Sequence, residues 1–463
     1  MSRKQKPRLI DGLRLSGIHS AGRAFGKVGV RPIYVDFAIP GELVNVSIPR
    51  HYKGYVVGTL ENITDISEYR QVPFCKHFGE CGGCSWQHIE YRYQLGLKAR
   101  ILSEALAKYE IATPAISSAT ASPSQCYYRN KLEYAFSSNT DTIAEEQARE
   151  GGVLGFHPYS TFKQVVSIEK CFLQPDPSRK VAAVAHAIAR ETELAFYNQQ
   201  NGAGDIRSLT IRTSSTGELM LIVGFSTADT NIIEAYLAKL FSRAPEITSL
   251  YYCTLSGFDA SYVTGNLTLY KGDKYINEKL NGQTFRVNPK SFFQPNVQQA
   301  EAIFNTIIRQ ADLRSSDLVY DLYTGVGSIA CHIAGSARQV VGIEGSAEAI
   351  ADAEYNALQN GITNATFMVG DILKTFTPGF VEQYGKPDVV ILDPPRSGTL
   401  IEIKRTILQA APRLIIYLSC NPVSLAFDLK MLTQGYRIAY IQPFDMFPQT
   451  HHVETLVILE KKS

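Results

Sequence analysis

The chain has 463 residues and a mass of 51.3 kDa, a length suited to two to four domains. Hydrophobic residues make up 45% and charged ones 19%, which excludes a largely disordered chain. No apolar run approaches the roughly 18 residues of a bilayer span, and the basic N-terminus MSRKQKPRLIDGLRLSG lacks the apolar stretch of a secretory signal, so a cytoplasmic protein is expected.

The net charge is only +2, yet residues 1–100 carry 15 Lys and Arg against 8 Asp and Glu, while the remainder carries 31 against 36. A basic N-terminal segment on a near-neutral body favours a polyanionic partner. Residues 9–66 alternate apolar and polar positions: Ile33, Val35 and Phe37, then Val44, Val46 and Ile48, then Val56, Gly58 and Leu60. Gly and Pro punctuate them, which predicts four or five strands in a small OB-like β-barrel. Such barrels bind single-stranded nucleic acid in a basic groove.

Eight cysteines in a cytoplasmic chain of this size do not suggest a disulfide framework. Cys75, Cys81 and Cys84 cluster in PFCKHFGECGGCSWQH, with Cys171 far downstream in IEKCFLQ. Four thiolates in a three-plus-one arrangement suit tetrahedral zinc or a 4Fe–4S cube equally. Residues 86–110 predict a helix with Leu95, Ile101, Leu102, Ala105 and Leu106 on one side. Residues 127–285 mix strand-like and helical runs and read as an α+β domain, with the polar stretch 137–152 as a surface excursion. From about 286 apolar strands alternate with helices, which predicts an α/β domain with a doubly wound, mostly parallel sheet. The last two strands have no helix between them and should form an antiparallel hairpin.

Chemistry concentrates at the ends of those strands. DLYTGVGSIA (321–330) joins strand to helix through Gly325 and Gly327, so a ligand can approach the backbone there. The spacing is neither GxGxxG nor a phosphate-binding loop. Glu344 ends the next strand, where a carboxylate accepts both hydroxyls of a ribose, and Asp371 ends the third, within reach of an adenine edge. This set suits an adenosyl cofactor, S-adenosylmethionine ahead of NAD. In VVILDPPRSG (389–398) a buried strand delivers Asp393, and Pro394 and Pro395 stiffen a turn fit to hydrogen-bond a planar amide or base edge.

In LIIYLSCNP (414–422) Cys420 follows an apolar strand. A helix starting near Pro422 is expected to lower its pKa, as for a nucleophilic thiol, although a lone cysteine is as often a small core residue. In PFDMFPQTHHVETLVILEKK (443–462) Glu454 is a candidate acid/base partner of that thiol. The preceding His451 and His452 match no zinc motif.

Together these residues resemble the RNA uracil-5-methyltransferases that carry an N-terminal TRAM module, over essentially the whole chain. GRAFGKVG…VDFAIPGELV resembles the TRAM barrel, and FCKHFGECGGCSWQHIEYRYQLGLK the cluster segment. NPKSFFQPN, DLYTGVGSI, DPPRSG, SCNP and HHVETL resemble the methyltransferase signatures in their usual order. The resemblance implies a 4Fe–4S cluster on Cys75, Cys81, Cys84 and Cys171, and S-adenosylmethionine held by Gln294, Tyr323, Ser328, Glu344, Asp371 and Asp393. It also implies Cys420 as nucleophile and Glu454 as base. Phe292 and Phe293 either line the path of the target base or form a core pair.

The implied organisation is a TRAM barrel over 1–68, a cluster-bearing α+β domain over 69–285 and a Rossmann-like methyltransferase domain over 286–463. The implied reaction makes 5-methyluridine in RNA, with 23S rRNA as substrate; the protein is expected to act as a monomer, on neither DNA nor membranes. The alternatives are the same chemistry on tRNA, a non-enzymatic RNA-binding platform, and an amino-group methyltransferase, which would share the Asp-Pro-Pro turn but not need Cys420.

Overall fold

The computed structural model describes residues 7–49, 56–138, 152–159, 161–258 and 260–462. Residues 139–151 of the expected surface excursion therefore lie outside the described residues. The chain divides into two compact units: Met1–Gly79, Cys84–Ser122 and Ile391–Ser463 form the first, Glu80–Gly83 and Pro123–Val390 the second.

The first unit begins with six strands: β1 (Arg8–Arg14), β2 (Gly17–Ile18), β3 (Ala24–Val28), β4 (Arg31–Val35), β5 (Leu43–Ile48) and β6 (Val56–Asp65). Their order is β1-β5-β6-β4-β3-β2, antiparallel except for the β4–β6 pair. The period-2 pattern does its expected work here: Ile33, Val35, Val44, Val46 and Ile48 all turn inward into one core with Leu13, Ala24 and Val56. Phe37 departs from the pattern. The strand stops at Val35, and Phe37 sits in a turn at φ 58°, packed edge-on against Phe78 at 5.4 Å. Helix α1 runs over Tyr91–Ala107, shorter than predicted at both ends, and buries Leu97, Ile101, Leu102, Ala105 and Leu106. Leu95 is only half-buried.

The second unit contains a mixed sheet of β7 (Lys131–Ser137), β8 (Val153–Phe156), β9 (Val166–Ser167), β10 (Ile206–Thr213), β11 (Leu219–Phe225), β12 (Ser249–Thr254) and β13 (Thr268–Gly272), in the order β13-β12-β11-β10-β7-β8-β9. Helix α2 (Ser178–Glu191) packs on this sheet, and α3 (Thr230–Arg243) makes the crossover between the parallel pair β11 and β12. A hairpin, β14 (Ile276–Leu280) and β15 (Gln283–Val287), precedes α4 (Val297–Gln310).

The last sheet comprises β16 (Leu318–Leu322), β17 (Gln339–Glu344), β18 (Ala365–Val369), β19 (Val389–Leu392), β20 (Leu414–Ser419), β21 (Tyr436–Phe444) and β22 (Glu454–Lys461). Its order is β18-β17-β16-β19-β20-β22-β21. Strands β16, β17 and β18 are parallel, with α5 (Ser328–Ile333) and α6 (Ala347–Gln359) between them. β22 runs antiparallel to both β20 and β21, so the final hairpin is antiparallel as the missing helix predicted. Helices α7 (Ile372–Thr375), α8 (Pro378–Tyr384), α9 (Ile401–Ala410) and α10 (Pro422–Leu432) complete the connections of a Rossmann-like fold, which a β-rich N-terminal domain precedes in the chain. Among the described residues no helix is long and apolar enough to cross a membrane.

Candidate active site

In the first unit three strand ends bring titratable side chains together. β20 is buried along its whole length and stops at Ser419, so Cys420 emerges at its carboxyl end, half-buried. Asn421 stops the strand and starts α10: its Oδ1 accepts the Val423 N–H at 3.1 Å, and Pro422 occupies the first turn. β22 pairs with β20 with Thr455 opposite Ser419, which sets the buried Glu454 beside the thiol. β19 delivers Asp393, and the Asp-Pro-Pro turn leads on to the exposed Arg396.

The electrostatics of this cluster favour neutral forms. Burial first and the Glu454 charge second push the Cys420 thiol up to about 11, against a downward pull from Arg396 and with a smaller push from Asp393. The expected lowering by the helix N-terminus is thus corrected: desolvation and two carboxyls outweigh a dipole whose pull is confined to the first turn. Burial pushes Asp393 up to about 7. Burial, then the charge on Asp393, hold Glu454 well above the usual carboxylate range, with Arg396 opposing. Groups whose charged forms are disfavoured in this way are suited to hold and move protons rather than to stay charged.

Two further loops are pinned around them. The Arg396 carbonyl accepts Asn421 Nδ2 at 2.9 Å and Ser424 Oγ at 3.1 Å, and Arg396 Nη2 lies 3.5 Å from His452 Nδ1. Asp428, buried on α10, pairs with the buried Lys404 and accepts the Tyr417 hydroxyl at 2.5 Å and the Thr399 N–H at 2.8 Å. Gly398 passes so close that a Cβ there would lie 2.6 Å from Asp428 Oδ2. His451 is held neutral, at about 4, chiefly by burial and then by Lys98.

The second unit holds five of the six expected cofactor residues; Asp393 belongs to the first. β16 ends at Asp321 and Leu322, where the Thr324 hydroxyl donates to Asp321 Oδ2 at 2.5 Å. The chain then turns through Tyr323 at φ 68°, Gly325 at 56° and Gly327 at 78° into Ser328, the first residue of α5. Glu344 at the end of β17 accepts the Gly325 N–H at 3.2 Å and the Ser346 N–H at 3.0 Å, tying the Gly turn to the next strand end. Asp371 caps α7 through the Leu373 N–H at 2.9 Å. The Gln294 carbonyl accepts Asn130 Nδ2 at 2.9 Å. Of the adjacent aromatics, Phe292 is 68% exposed and Phe293 is buried against Phe285, so the pair splits between the two readings offered for it.

None of the eight cysteines is in a disulfide. Cys75 and Cys84 belong to the first unit, Cys81 and Cys171 to the second. Cys81 Sγ accepts the Gly83 N–H and Cys171 Sγ accepts the Leu173 N–H, each at 3.4 Å. After burial, the charges on both sulfurs raise the Tyr134 phenol. Amides two residues on, aimed at sulfur, are donors of the kind that a metal-bound thiolate accepts. Among the described residues no three or more His, Cys, Asp or Glu side chains converge as a metal-binding group.

Comparison with known proteins gives this arrangement its context. The tRNA (Uracil-5-)-methyltransferase family model matches residues 265–371 and 380–462. An RNA methyltransferase of Bacteroides thetaiotaomicron is 39% identical over 449 residues, covering 95% of this chain and 99% of its own. Another, of Porphyromonas gingivalis, is 38% identical over 464 residues, covering 97% and 100%. The chain belongs to the RNA (uracil-5-)-methyltransferase family. Its fold is that of Pyrococcus abyssi tRNA (uracil-54, C5)-methyltransferase, solved in complex with S-adenosyl-L-homocysteine, with a TM-score of 0.75 at 24% identity over 97% of this chain and 100% of that one.

As a member of that family the chain is an RNA (uracil-5-)-methyltransferase. Sequence reasoning missed two of its site features. Arg396 opposes the negative charge of both Cys420 and Glu454, and its signal was in the DPPRSG string itself. The helix α1 residues behind the 445–453 segment gave no such signal, because a helix of mixed polar and apolar residues reads as packing.

Proposed function

We propose that the protein uses S-adenosylmethionine to methylate carbon 5 of a uridine in 23S rRNA through a covalent Cys420–uracil adduct. The observation that supports it best is Cys420 at the end of β20 with Glu454 and Asp393, both carrying raised pKa values, beside it and Arg396 opposing them. Carbon 5 of uracil is a poor nucleophile toward a sulfonium methyl. Attack of the Cys420 sulfur on carbon 6 forms an S–C bond and moves the ring double-bond electrons onto the carbonyl oxygen as an enolate. Arg396 is the cation at hand to stabilise that charge. The enolate takes the methyl, the sulfonium C–S bond breaks, and S-adenosylhomocysteine leaves. Glu454 then removes the carbon-5 proton, the double bond re-forms, and the thiolate departs.

A thiol held at about 11 must lose its proton first. The positive sulfonium of the bound cofactor favours that loss, and the Asp393 carboxylate receives the proton, so that Glu454 is left ionised to remove the carbon-5 proton. In this reading Glu344 holds the ribose, Asp371 faces the adenine, and Gln294, Tyr323, Ser328 and Asp393 complete the contacts. The target base must leave its stack to expose carbon 6, and the exposed Phe292 suits that path.

Cys75, Cys81, Cys84 and Cys171 are proposed to hold a 4Fe–4S cluster rather than zinc. Methyl transfer moves no net electrons, so the cluster's contribution is to cross-link the chain. About four irons per chain, with matching acid-labile sulfide, in anaerobically purified protein would support it; stoichiometric zinc would not. The N-terminal sheet is assigned as the TRAM barrel, residues 1–68, ahead of a central domain over 69–285 and the catalytic domain over 286–463, in a monomeric, cytoplasmic enzyme. Its exposed Lys27 and Arg31 suit RNA phosphates.

The second reading is the same chemistry on tRNA, which the family model's name and the tRNA specificity of the Pyrococcus abyssi enzyme favour. Nucleoside mass spectrometry on unmodified 23S rRNA and unmodified tRNA, incubated separately with protein and S-adenosylmethionine, separates the two. New 5-methyluridine in rRNA alone supports the proposal. Product in tRNA alone overturns the substrate and keeps the chemistry.

A further inference from the structure

Glu454 opens β22 directly after the segment 445–453, and that segment is held from residues 85–98, some 350 positions away in sequence. Its centre is Gln449, which is buried and adopts a left-handed φ of 67°. The Gln449 carbonyl accepts two amides at once, from Ser85 and Trp86, each at 2.9 Å. Its side chain and backbone close a reciprocal pair with Gln94 of α1: Gln94 Nε2 donates to Gln449 Oε1 at 3.0 Å, and the Gln449 N–H donates to Gln94 Oε1 at 3.2 Å. Gln94 is itself fully buried and fixed by the carbonyls of Trp86 at 3.1 Å and Ile89 at 2.9 Å.

A non-glycine residue in the left-handed region costs about 1–2 kcal/mol and persists only where its surroundings over-determine it. Here four hydrogen bonds hold Gln449 in that conformation. A buried amide pair is also an expensive way to fill space, since removing one partner leaves the other short of a hydrogen bond. Its benefit is geometric: five residues on stands Glu454, and between them Ser85 Oγ lies 3.4 Å from His451 Nδ1 while the Thr450 hydroxyl accepts the His452 N–H at 3.3 Å. Lys98 Nζ donates to the Phe447 carbonyl at 3.2 Å and pairs with the buried Asp445, so α1 holds the segment at Gln449 and at two positions before it, while Ser85 meets it at His451 on the Glu454 side.

We propose that Gln449, buttressed by Gln94, is a positioning residue that sets the Glu454 carboxyl for proton removal. The inference rests on the reading of Cys420 as nucleophile and Glu454 as base. It predicts a particular kinetic signature. A misplaced base slows departure of the thiolate more than formation of the Cys420–carbon 6 bond, so the covalent RNA–protein adduct builds up.

The test uses the full-length protein with the RNA found to be methylated, and two variants. Gln449→Gly keeps the backbone carbonyl and N–H and is at ease at this φ, and it removes the side chain with its amide. Gln94→Glu is nearly isosteric but sets a carboxylate oxygen against three acceptors. Expected for both are a roughly tenfold fall in kcat, a KM for RNA within about twofold of wild type, and a several-fold rise in denaturant-resistant adduct. An unchanged partition between adduct and product overturns the proposal. So does a parallel loss of adduct and product, the result expected of simple destabilisation. Cys420→Ala, run alongside, tests the underlying reading separately: adduct or product from that variant would sink the nucleophile assignment instead.

Discussion

Glu344 and Glu454 are both carboxyl groups at a strand end of the last sheet, and they are treated in opposite ways. Glu344 is half-buried and receives two backbone N–H groups, from Gly325 and Ser346, within its own unit. Glu454 is buried beside Asp393, and burial and that neighbouring charge push its carboxyl well above the usual carboxylate range, with Arg396 the opposing cation. A carboxylate fixed by two amides is held in place to accept further hydrogen bonds from a ligand. A carboxyl whose charge is disfavoured is a group that can take a proton and release it. Under the proposed reading the same side chain, closing one strand and opening another, is suited to recognition in one place and to proton transfer in the other, and the difference lies in what surrounds it.

The sharpest way to break this comparison is at the thiol. Cys420→Ala should abolish methyl transfer, by more than about 1,000-fold, while leaving RNA affinity within twofold. Incorporation of radiolabelled methyl and filter binding measure the two. Retained turnover would reduce the carboxyl cluster to a structural feature. Glu454→Gln should follow, lowering kcat by about 100- to 10,000-fold and accumulating the covalent adduct, because the neutral amide keeps the shape and loses the proton acceptor. At the other strand end, Glu344→Gln should weaken S-adenosylmethionine binding by about tenfold, on the order of 1.4 kcal/mol, and leave kcat at saturating cofactor nearly unchanged. Calorimetric titration and saturation kinetics read these separately, and a kcat effect there as large as that of Glu454→Gln would erase the distinction.

These regions also differ in how far the sequence reveals them. The turn around Gly325 and Gly327 and the carboxylate of Glu344 are satisfied within about twenty residues, so their pattern is local and readable. The strand ends at Asp321, Glu344 and Ser419 and the antiparallel final hairpin follow from apolar runs and from the helix missing between β21 and β22. What surrounds Cys420 is not local. Helix α10 does start at Pro422, as the motif indicates, yet the thiol is pushed up rather than down because burial and Glu454 act on it across the fold. Gln94 and Lys98 sit in a helix whose polar residues look like a solvated face, and only the tertiary structure shows both fully buried against the 445–453 segment. Phe37 fails for a simpler reason: alternation cannot announce where a strand ends, and a turn at Phe37 takes the next inward position.

The smallest expected effect concerns Asp393 and stability. Its folded pKa is raised to about 7 by burial, against an unfolded value of about 3.9. Between those values the unfolded chain binds fewer protons than the folded one, so this group makes stability fall as pH rises from about 4 to about 7, and the loss then levels off. Asp393→Asn removes that term. The variant should melt close to wild type at pH 4 and a few degrees above it at pH 7 to 8, a gap that opens steadily between the two. Calorimetric melting of both proteins across that range checks it, and the difference between them cancels the titrating groups that the Asp393 charge does not reach, Glu454 and Cys420 being the two that it does. Parallel curves would mean that Asp393 is ionised in the folded protein at pH 5. It would then belong with Glu344 as a charged binding group, and Glu454 would be left as the single proton carrier at the thiol.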